Sequence, residues 1–163
     1  MVSNTAYLAL GSNLGNREAL ITSALARLDE SGVRVIARSP LFETDPVTAD
    51  LQPLYLNGAA RVETTFEPDA LLALCLAIER ALGRERPPGA ISPVARPIDI
   101  DLLLYGDAVL DRPNLVLPHP RLLERPFVLI PLATIALPGL RHPITGARLD
   151  EASPSPGVRP YAL

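Results

Sequence analysis

Strand-like runs of apolar residues recur along the chain and are separated by turn-forming residues. Each run is short, alternates apolar with smaller or polar positions, and ends near Gly, Pro, Asn or Asp, which is typical of strands. The predicted strands are residues 5–10, 33–42, 55–66 and 98–105, and a turn at Gly106 leads from the last of these into a short strand at 108–110.

Between these strands, apolar residues recur every three or four positions, which predicts helices. A proline that opens a helix and a glycine that follows its last turn strengthen the second prediction. The predicted helices run from Arg17 to the residue before Gly32, from Pro68 to Gly83, and from Leu122 or Pro126 to Ile135.

Two stretches have too much proline for regular structure. Residues 43–53 are acidic and proline-containing, and residues 84–97 combine proline, glycine and charged side chains, so both predict long loops. Residues 141–163 are rich in Pro, Gly and Ser and form a C-terminal extension.

The order strand, helix, strand, strand, helix, strand indicates the fold class. Such a split arrangement is typical of an α+β fold in which helices pack on an antiparallel sheet, as in ferredoxin-like domains. We therefore expect a single domain over residues 1–163 with this architecture.

Length and composition exclude several classes of protein. A chain of 163 residues that is 48% hydrophobic can bury a core and is too apolar to be disordered. The apolar run at residues 128–140 is interrupted by proline and is too short to span a membrane. The first ten residues lack the pattern of a secretory signal, so we expect a cytoplasmic protein.

The charged residues narrow the choice of partner. A net charge of −3 argues against a nucleic-acid partner. Independently of the charge, we expect the chain to be a monomer. All 15 basic residues are arginine. A preference for Arg codons explains that count, but without lysine any polyphosphate must be held by guanidinium groups, backbone amides or metal ions.

Cys75 is the only cysteine and lies among leucines, which predicts a core residue.

Two carboxylates stand out in the predicted strand 98–105. Since side chains alternate along a strand, Asp99 and Asp101 share one face, while Ile98, Ile100, Leu102 and Leu104 share the other. The Asp Cα atoms should lie about 6.5 to 7 Å apart, close enough to hold one or two Mg²⁺ ions that carry substrate phosphates. A solvated strand edge or an Arg-paired cluster is the alternative for such a pair.

Positive groups flank this strand and favour the metal and triphosphate interpretation. Each of these arginines taken singly is typical of a surface residue, and the histidine between two prolines is typical of a structural one. The flanking groups are Arg84, Arg86 and Arg96 before the strand, and His119, Arg121 and Arg125 after it.

A flat heterocycle is a second candidate ligand. The chain has few aromatic residues, and Tyr55 and Phe127 could form two sides of a slot, with the Asn57 amide supplying a donor and an acceptor. Core packing is the alternative for both rings.

Glu79 lies on the buried side of its predicted helix and needs an Arg partner or a ligand.

Five ordered blocks of sequence together resemble the 6-hydroxymethyl-7,8-dihydropterin pyrophosphokinases of folate biosynthesis. The resemblance covers residues 5 to about 135 and is specific because the blocks occur in the same order and spacing. They are YLALGSNL at 7–14, QPLYLN at 52–57, IERALGR at 78–84, RPIDID at 96–101, and PHPR with RPF at 118–121 and 125–127.

The resemblance implies a reaction and a set of site residues. The reaction is transfer of pyrophosphate from ATP to the pterin hydroxymethyl group, leaving AMP, with Asp99 and Asp101 holding two Mg²⁺ ions and Arg84 and Arg96 assisting. The implied ATP contacts are Arg84, Arg86, Arg96, Leu102, His119 and Arg125. The implied pterin contacts are Thr44, Asp45, Pro46, Val47, Tyr55, Asn57 and Phe127.

One departure from the family leaves a second hypothesis open. Where the family commonly has Trp-Gly-Pro, this chain has Pro93-Val94-Ala95 before Arg96, so an aromatic contact of the loop is missing. A non-catalytic ferredoxin-like domain that binds the ligand without the chemistry is therefore the alternative. The resemblance identifies no general base, although metal coordination of the hydroxyl, assisted by Asp99, would lower its pKa.

Overall fold

A computed structural model describes residues 2–45, 54–83 and 97–161. The elements follow one another in a mixed order of strands and helices. They are β1 (Asn4–Ser12), α1 (Arg17–Glu30), β2 (Arg34–Arg38), β3 (Phe42–Thr44), β4 (Tyr55–Thr64), α2 (Pro68–Ala81), β5 (Asp99–Tyr105), β6 (Leu110–Arg112), β7 (Leu115–Leu117), a 3-10 turn (Leu122–Glu124), α3 (Pro126–Ile135) and β8 (Val158–Pro160).

The helix ends follow from local chemistry. The Asn16 side chain caps α1 by accepting a hydrogen bond from the Ala19 amide at 3.1 Å. Helix α2 begins at Pro68, and the chain leaves it through Gly83, whose φ of +104° is a left-handed conformation that glycine adopts without strain. All three predicted helices are confirmed, and the third begins at Pro126, the second of its two predicted starts.

The main sheet is antiparallel and has the order β5-β1-β4-β3-β8, with β2 also paired to β4. A second sheet, β6 with β7, contains two strands. The prediction of an antiparallel sheet with packed helices is confirmed.

The two faces of the main sheet bury two separate cores. Helices α1 and α2 cover one face, where Leu8 and Ile100 pack with helix residues such as Leu28 and Leu71. Helix α3 covers the other face, where a second cluster forms around Leu132.

Polar contacts hold the end of α3 on the sheet. The Leu137 amide donates to the Tyr7 hydroxyl at 3.1 Å, and the Arg61 guanidinium donates to the Ile135 carbonyl at 3.1 Å. The Arg61 bond satisfies a carbonyl that a helix C-terminus otherwise leaves unpaired, and the Tyr7 bond fixes the chain just after the helix.

The predicted strand at 33–42 is wrong as one unit, because it divides at Ser39 and Pro40. Ser39 turns its hydroxyl to the Ala59 amide, at 2.8 Å, and Pro40 has no N–H with which to continue a ladder. A new strand, β3, begins at Phe42, so residues 43 and 44 belong to a strand and not to the loop predicted over 43–53. Residues 46–53 of that predicted loop, and residues 84–96 of the second one, lie outside the described residues.

A β-bulge overturns the predicted orientation of Leu104. Tyr7 pairs with Leu104 but Leu8 pairs with Leu102, so Leu103 is an extra residue in β5. The bulge turns Leu103 and Leu104 both toward the α3 side, whereas Ile98, Ile100 and Leu102 lie on the α1/α2 side as predicted.

Two further expectations need correction. The short strand predicted at 108–110 is found only at Leu110, the first residue of β6, which pairs with β7 across a turn at 113–114. The C-terminal extension also contains a strand, β8, which hydrogen-bonds to β3. Within the described ranges, the helices are too short or too polar to cross a membrane.

Candidate active site

One face of the main sheet, on the side of α3, carries several of the predicted site residues. In an antiparallel sheet, residues paired directly across neighbouring strands point to the same side. Asp99 pairs with Gly11, and Gly11 pairs with Asn57, so these three residues form one row across β5, β1 and β4. Neighbouring strands are about 5 Å apart, so the Cα atoms of Asp99 and Asn57 are about 10 Å apart.

The two aspartates lie side by side at the edge of this face. Asp101 belongs to the next row, opposite Ala9, and both carboxylates are half-buried. The prediction that they share a face is confirmed by the strand pairing. Both make further interactions with the surrounding protein.

His119 lies next to the aspartate strand because its backbone amide donates to the Leu103 carbonyl at 2.9 Å. Its Nδ1 accepts from the Arg121 amide at 3.2 Å, so the neutral ring carries its proton on Nε2. Burial lowers the pKa of His119; the Asp101 carboxylate raises it, and the guanidinium groups of Arg125 and Arg121 lower it. The imidazole therefore lies within the field of one aspartate and two arginines.

Aromatic and amide groups lie at the other end of the face. The Asn57 amide donates to the Thr44 hydroxyl at 2.5 Å, and both residues are buried. Tyr55 pairs with Thr44 across β3 and β4, so the Tyr55 side chain is on the same face of the sheet as Thr44 and Asn57. Phe127, in the first turn of α3, packs against the core cluster on this side, with the Arg125 guanidinium 5.6 Å from its ring centre.

Gly11 is a functional candidate to which the sequence pattern assigned no role. A Cβ atom at this position would lie 2.7 Å from Asn57 Oδ1, closer than side chains approach. Glycine is therefore required for the amide to lie where it does. Only the pairing of β1 with β4, which is not visible in a single sequence, could have indicated this.

The remaining predicted residues are divided between the described ranges and the segments outside them. Leu102 is buried in the core on the α1/α2 side, so its side chain points away from the aspartate face. Asp45 is exposed and forms an ion pair with Arg159 at 3.1 Å. The predicted contacts Pro46, Val47, Arg84, Arg86 and Arg96 lie outside the described residues.

Helix α2 buries two titratable residues beneath the sheet. Burial, and then the charges of Glu79 and Asp101, raise the pKa of the Cys75 thiol to about 12, so Cys75 is an inert core residue as predicted. Glu79 is buried and interacts with other groups of the protein.

The donor set suits a cation that is only partly coordinated by protein. Among residues 2–45, 54–83 and 97–161, no three His, Cys, Asp or Glu side chains come together as a metal cage. Mg²⁺ typically uses one or two carboxylates and completes its shell with water and substrate phosphates. Two neighbouring carboxylates beside a histidine and arginines therefore fit Mg²⁺ bound together with a polyphosphate.

Comparison with known proteins relates most of the chain to one family. A family described as 7,8-dihydro-6-hydroxymethylpterin-pyrophosphokinase matches residues 7–137. The chain is 46% identical over 134 residues to the 2-amino-4-hydroxy-6-hydroxymethyldihydropteridine pyrophosphokinase of Methylorubrum extorquens, covering 80% of this chain and 82% of that protein. Identity to the Pseudomonas aeruginosa protein of the same name is 41% over 158 residues, or 93% of each chain.

Other relatives are much longer than this chain. It is 42% identical over 161 residues to the folic acid synthesis protein fol1 of Schizosaccharomyces pombe, covering 96% of this chain but 21% of that protein. The Plasmodium falciparum HPPK-DHPS structure superposes with a TM-score of 0.69 at 16% identity, over 91% of this chain and 41% of that one. The structural match supports the same fold.

Proposed function

The chain belongs to the 7,8-dihydro-6-hydroxymethylpterin-pyrophosphokinase family, a family of enzymes, and we propose on that basis that it catalyses a step of folate biosynthesis. The proposed reaction transfers pyrophosphate from ATP to the hydroxymethyl group of 6-hydroxymethyl-7,8-dihydropterin and releases AMP. Its substrates are small molecules, and ATP is the co-substrate.

One observation supports the proposal most directly. One face of the main sheet carries two carboxylates and a nearby histidine at one end, and an amide and a tyrosine at the other. Asp99 and Asp101 lie beside His119, and the row through Gly11 leads from Asp99 to Asn57. Because Asp99 and not Asp101 shares the row with Asn57, Asp99 is the carboxylate on the pterin side. Asp101, whose charge acts on His119, is on the nucleotide side.

The phosphate end of the site is assigned to charged residues. Asp99 and Asp101 would hold two Mg²⁺ ions, which neutralise the ATP phosphates and lower the pKa of the attacking hydroxyl. His119 would donate from Nε2 to an ATP phosphate oxygen, and Arg125, whose charge acts on His119, immediately precedes α3. Arg84, Arg86 and Arg96 complete the ATP contacts, with Arg84 and Arg96 stabilising the transferring group, and Leu102 can contribute only its backbone.

The pterin end is assigned to side chains that recognise a flat, hydrogen-bonding ring. Tyr55 and Phe127 would lie on its two faces, and the Asn57 carbonyl would accept from the ring's N–H groups while its NH₂ remains on Thr44. Thr44, Asp45, Pro46 and Val47 would complete this side. The Thr44 bond supports the role because it fixes which way the Asn57 amide faces.

The proposed transfer needs alignment and charge neutralisation rather than a covalent intermediate. The pterin hydroxyl oxygen forms a bond to the β-phosphorus, and the bond from that phosphorus to the α–β bridging oxygen breaks. AMP leaves with the bridging electron pair, and the hydroxyl proton passes to Asp99 or to solvent. The protein contributes by holding the two substrates at the two ends of the face.

The finer description of the fold is also a proposal. The succession strand, helix, three strands, helix, strand supports a ferredoxin-like arrangement, because β2 and β3 both pair with β4 and β1 lies between β5 and β4. A single-domain monomer in the cytoplasm remains a prediction from the sequence.

The identity of the nucleotide product tests the proposed function. Purified protein is incubated with Mg²⁺, ATP and hydroxymethyldihydropterin, and the nucleotides are separated by chromatography. We expect AMP and the pterin diphosphate in equal amounts, with no turnover when Mg²⁺ is chelated. Release of ADP contradicts the proposal, and pterin binding without turnover supports the alternative, a non-catalytic binding domain.

A further inference from the structure

A strand outside the region that the family match covers, β8, supports the proposed pterin end of the face. That match ends at residue 137, whereas β8 lies at Val158–Pro160. Strand β8 pairs with β3 in antiparallel register, Thr44 opposite Val158 and Phe42 opposite Pro160. Strand β3, which carries Thr44, is therefore hydrogen-bonded on both sides, to β4 and to β8.

Further bonds extend this attachment at both ends of β3. The Asp45 amide donates to the Gly157 carbonyl at 3.1 Å, and Arg159 pairs with the Asp45 carboxylate at 3.1 Å. At the other end, the Tyr161 amide donates to the Leu41 carbonyl at 2.9 Å. Residues on both sides of β3 are thus tied to the C-terminal segment.

Arg17, at the start of α1, connects this segment to β4. Its guanidinium forms an ion pair with Glu43 of β3 at 3.0 Å and donates to the Leu54 carbonyl at 2.8 Å, immediately before β4. The same group lies 5.6 Å from the ring centre of Tyr161. One side chain therefore contacts β3, the start of β4 and the C-terminal segment.

The burial of this contact makes it more than a surface ion pair. The side chains of Arg17 and Glu43 are 23% and 27% exposed, so solvent screens their charges only in part. Arg17 is also fixed in direction by its bond to a backbone carbonyl and by the Tyr161 ring. By contrast, Arg34 and Glu63 lie 3.9 Å apart with side chains 74% and 40% exposed.

We propose that Arg17, Glu43 and the C-terminal residues 157–161 form a clamp that positions the pterin-binding residues Thr44, Tyr55 and Asn57. The inference rests on the proposed function for the identity of the ligand. Arg17 is a positioning residue: it fixes the relative place of β3 and the start of β4. The Thr44 to Asn57 hydrogen bond crosses between those strands and orients the amide that faces the pterin.

The clamp should affect the binding of the pterin much more than the binding of the nucleotide. It contacts β3, β4 and the C-terminal segment, whereas the aspartates and His119 lie on and beside β5, which is separated from β3 by the two strands β1 and β4. Loosening the clamp should weaken pterin binding and leave nucleotide binding nearly intact. A residue with a merely structural role would affect both ligands, or the melting temperature alone.

The experiment compares Arg17→Met with Arg34→Met as a matched control. Calorimetric titrations measure the Kd of hydroxymethyldihydropterin, with a non-hydrolysable ATP analogue and Mg²⁺ present, and the Kd of that analogue alone. For Arg17→Met we expect the pterin Kd to rise about tenfold, the loss of a hydrogen bond from a charged group, while the analogue Kd changes less than about twofold. The control should leave both constants unchanged.

Two gentler variants keep the test decisive if Arg17→Met does not fold. Arg159→Ala removes only the Asp45 ion pair, and Tyr161→Leu keeps the apolar contact but removes the ring beside Arg17. Each should raise the pterin Kd, by about two- to fivefold, with the analogue Kd unchanged. Equal weakening of both ligands, or unchanged pterin affinity in all three variants, overturns the clamp.

Hydrogen exchange separates failure of the clamp from failure of the proposed function. Amides of Phe42–Thr44 and of residues 55–57 should exchange faster in the three variants than in the wild type, and those of β5 should not. If the wild type neither binds pterin nor forms AMP, the proposed function fails, and this exchange pattern still decides whether the clamp exists. Unchanged exchange in β3 overturns it.

Discussion

The two faces of the main sheet are built from the same strands but do different work. On the side of α1 and α2, alternate residues such as Leu8, Leu10 and Ile100 form a continuous apolar core. On the side of α3, the residues between them include Asp99, Gly11 and Asn57, which are polar or lack a side chain. The α3 side also buries a core around Leu132, but the end of the face that carries Asp99, Gly11 and Asn57 belongs to the proposed site. Single substitutions at this end should therefore affect activity, and those on the α1/α2 side should affect stability.

The largest expected effect is on turnover, from the aspartates. Asp99→Asn and Asp101→Asn each remove a charge that the proposed metal ions need, so kcat for AMP formation should fall about a thousandfold or more. Unfolding in urea should be little changed, because removing one of two neighbouring like charges relieves repulsion. Near-wild-type turnover in both variants would exclude them from the site.

The opposite face should give the reverse result. Ile100→Ala, between the two aspartates in sequence, opens a cavity under α1 and α2 and should reduce the free energy of unfolding by about 2 to 4 kcal/mol. In the protein that remains folded, kcat should stay close to wild type. A loss of turnover without a loss of stability would show that the two faces are not independent.

Two glycines sharpen the comparison further. Gly11→Ala would place a methyl group 2.7 Å from Asn57 Oδ1, and displacement of that amide should raise the pterin Kd about tenfold. In Gly58→Ala, on the other face, the methyl would meet Leu41 Cδ2 at 2.9 Å, so stability should fall with pterin affinity preserved.

A double variant identifies the cause of the Gly11 effect. If Gly11→Ala acts through Asn57, it should add little to the loss already caused by Asn57→Ala. Additive losses in calorimetric titration would contradict that explanation.

The smallest effect concerns the thiol under the apolar face. With a pKa raised from 9.0 to about 12, Cys75 stays protonated in the folded protein, and its alkylation at pH 8 should be at least about a hundredfold slower than in urea. The stability that this shift contributes is present below pH 9.0 and is lost as pH rises toward 12, because the unfolded thiol ionises first. Cys75→Ala should therefore weaken the alkaline decline in stability, and fast labelling of the native thiol would contradict its burial.

Local patterns in the sequence predicted the parts of the fold that local chemistry determines. The helix starting at Pro68 and stopping at Gly83 and the shared face of Asp99 and Asp101 follow from propensity and alternation. The division at Ser39, the extra residue Leu103 and the strand at Val158 depend on a partner strand distant in sequence, which no local pattern contains.

The same distinction applies to the candidate site. Asp99, Asp101 and Asn57 were visible as residue types in ordered motifs, and the strand pairing brings all three to one face. Gly11 lies in the first motif but received no role, and Arg17 lies in none of the motifs. Their importance depends on what they approach: an amide oxygen for Gly11, and a carboxylate and a carbonyl for Arg17.

In the proposed site, the row Asp99, Gly11, Asn57 would also fix the distance between the two substrates. Its length is set by backbone hydrogen bonds between three adjacent strands, so exchanging side chains can alter what is grasped at each end but not the span between them. We therefore expect variants of this sheet to accept modified rings or modified nucleotides more readily than a pterin whose alcohol arm is longer or shorter.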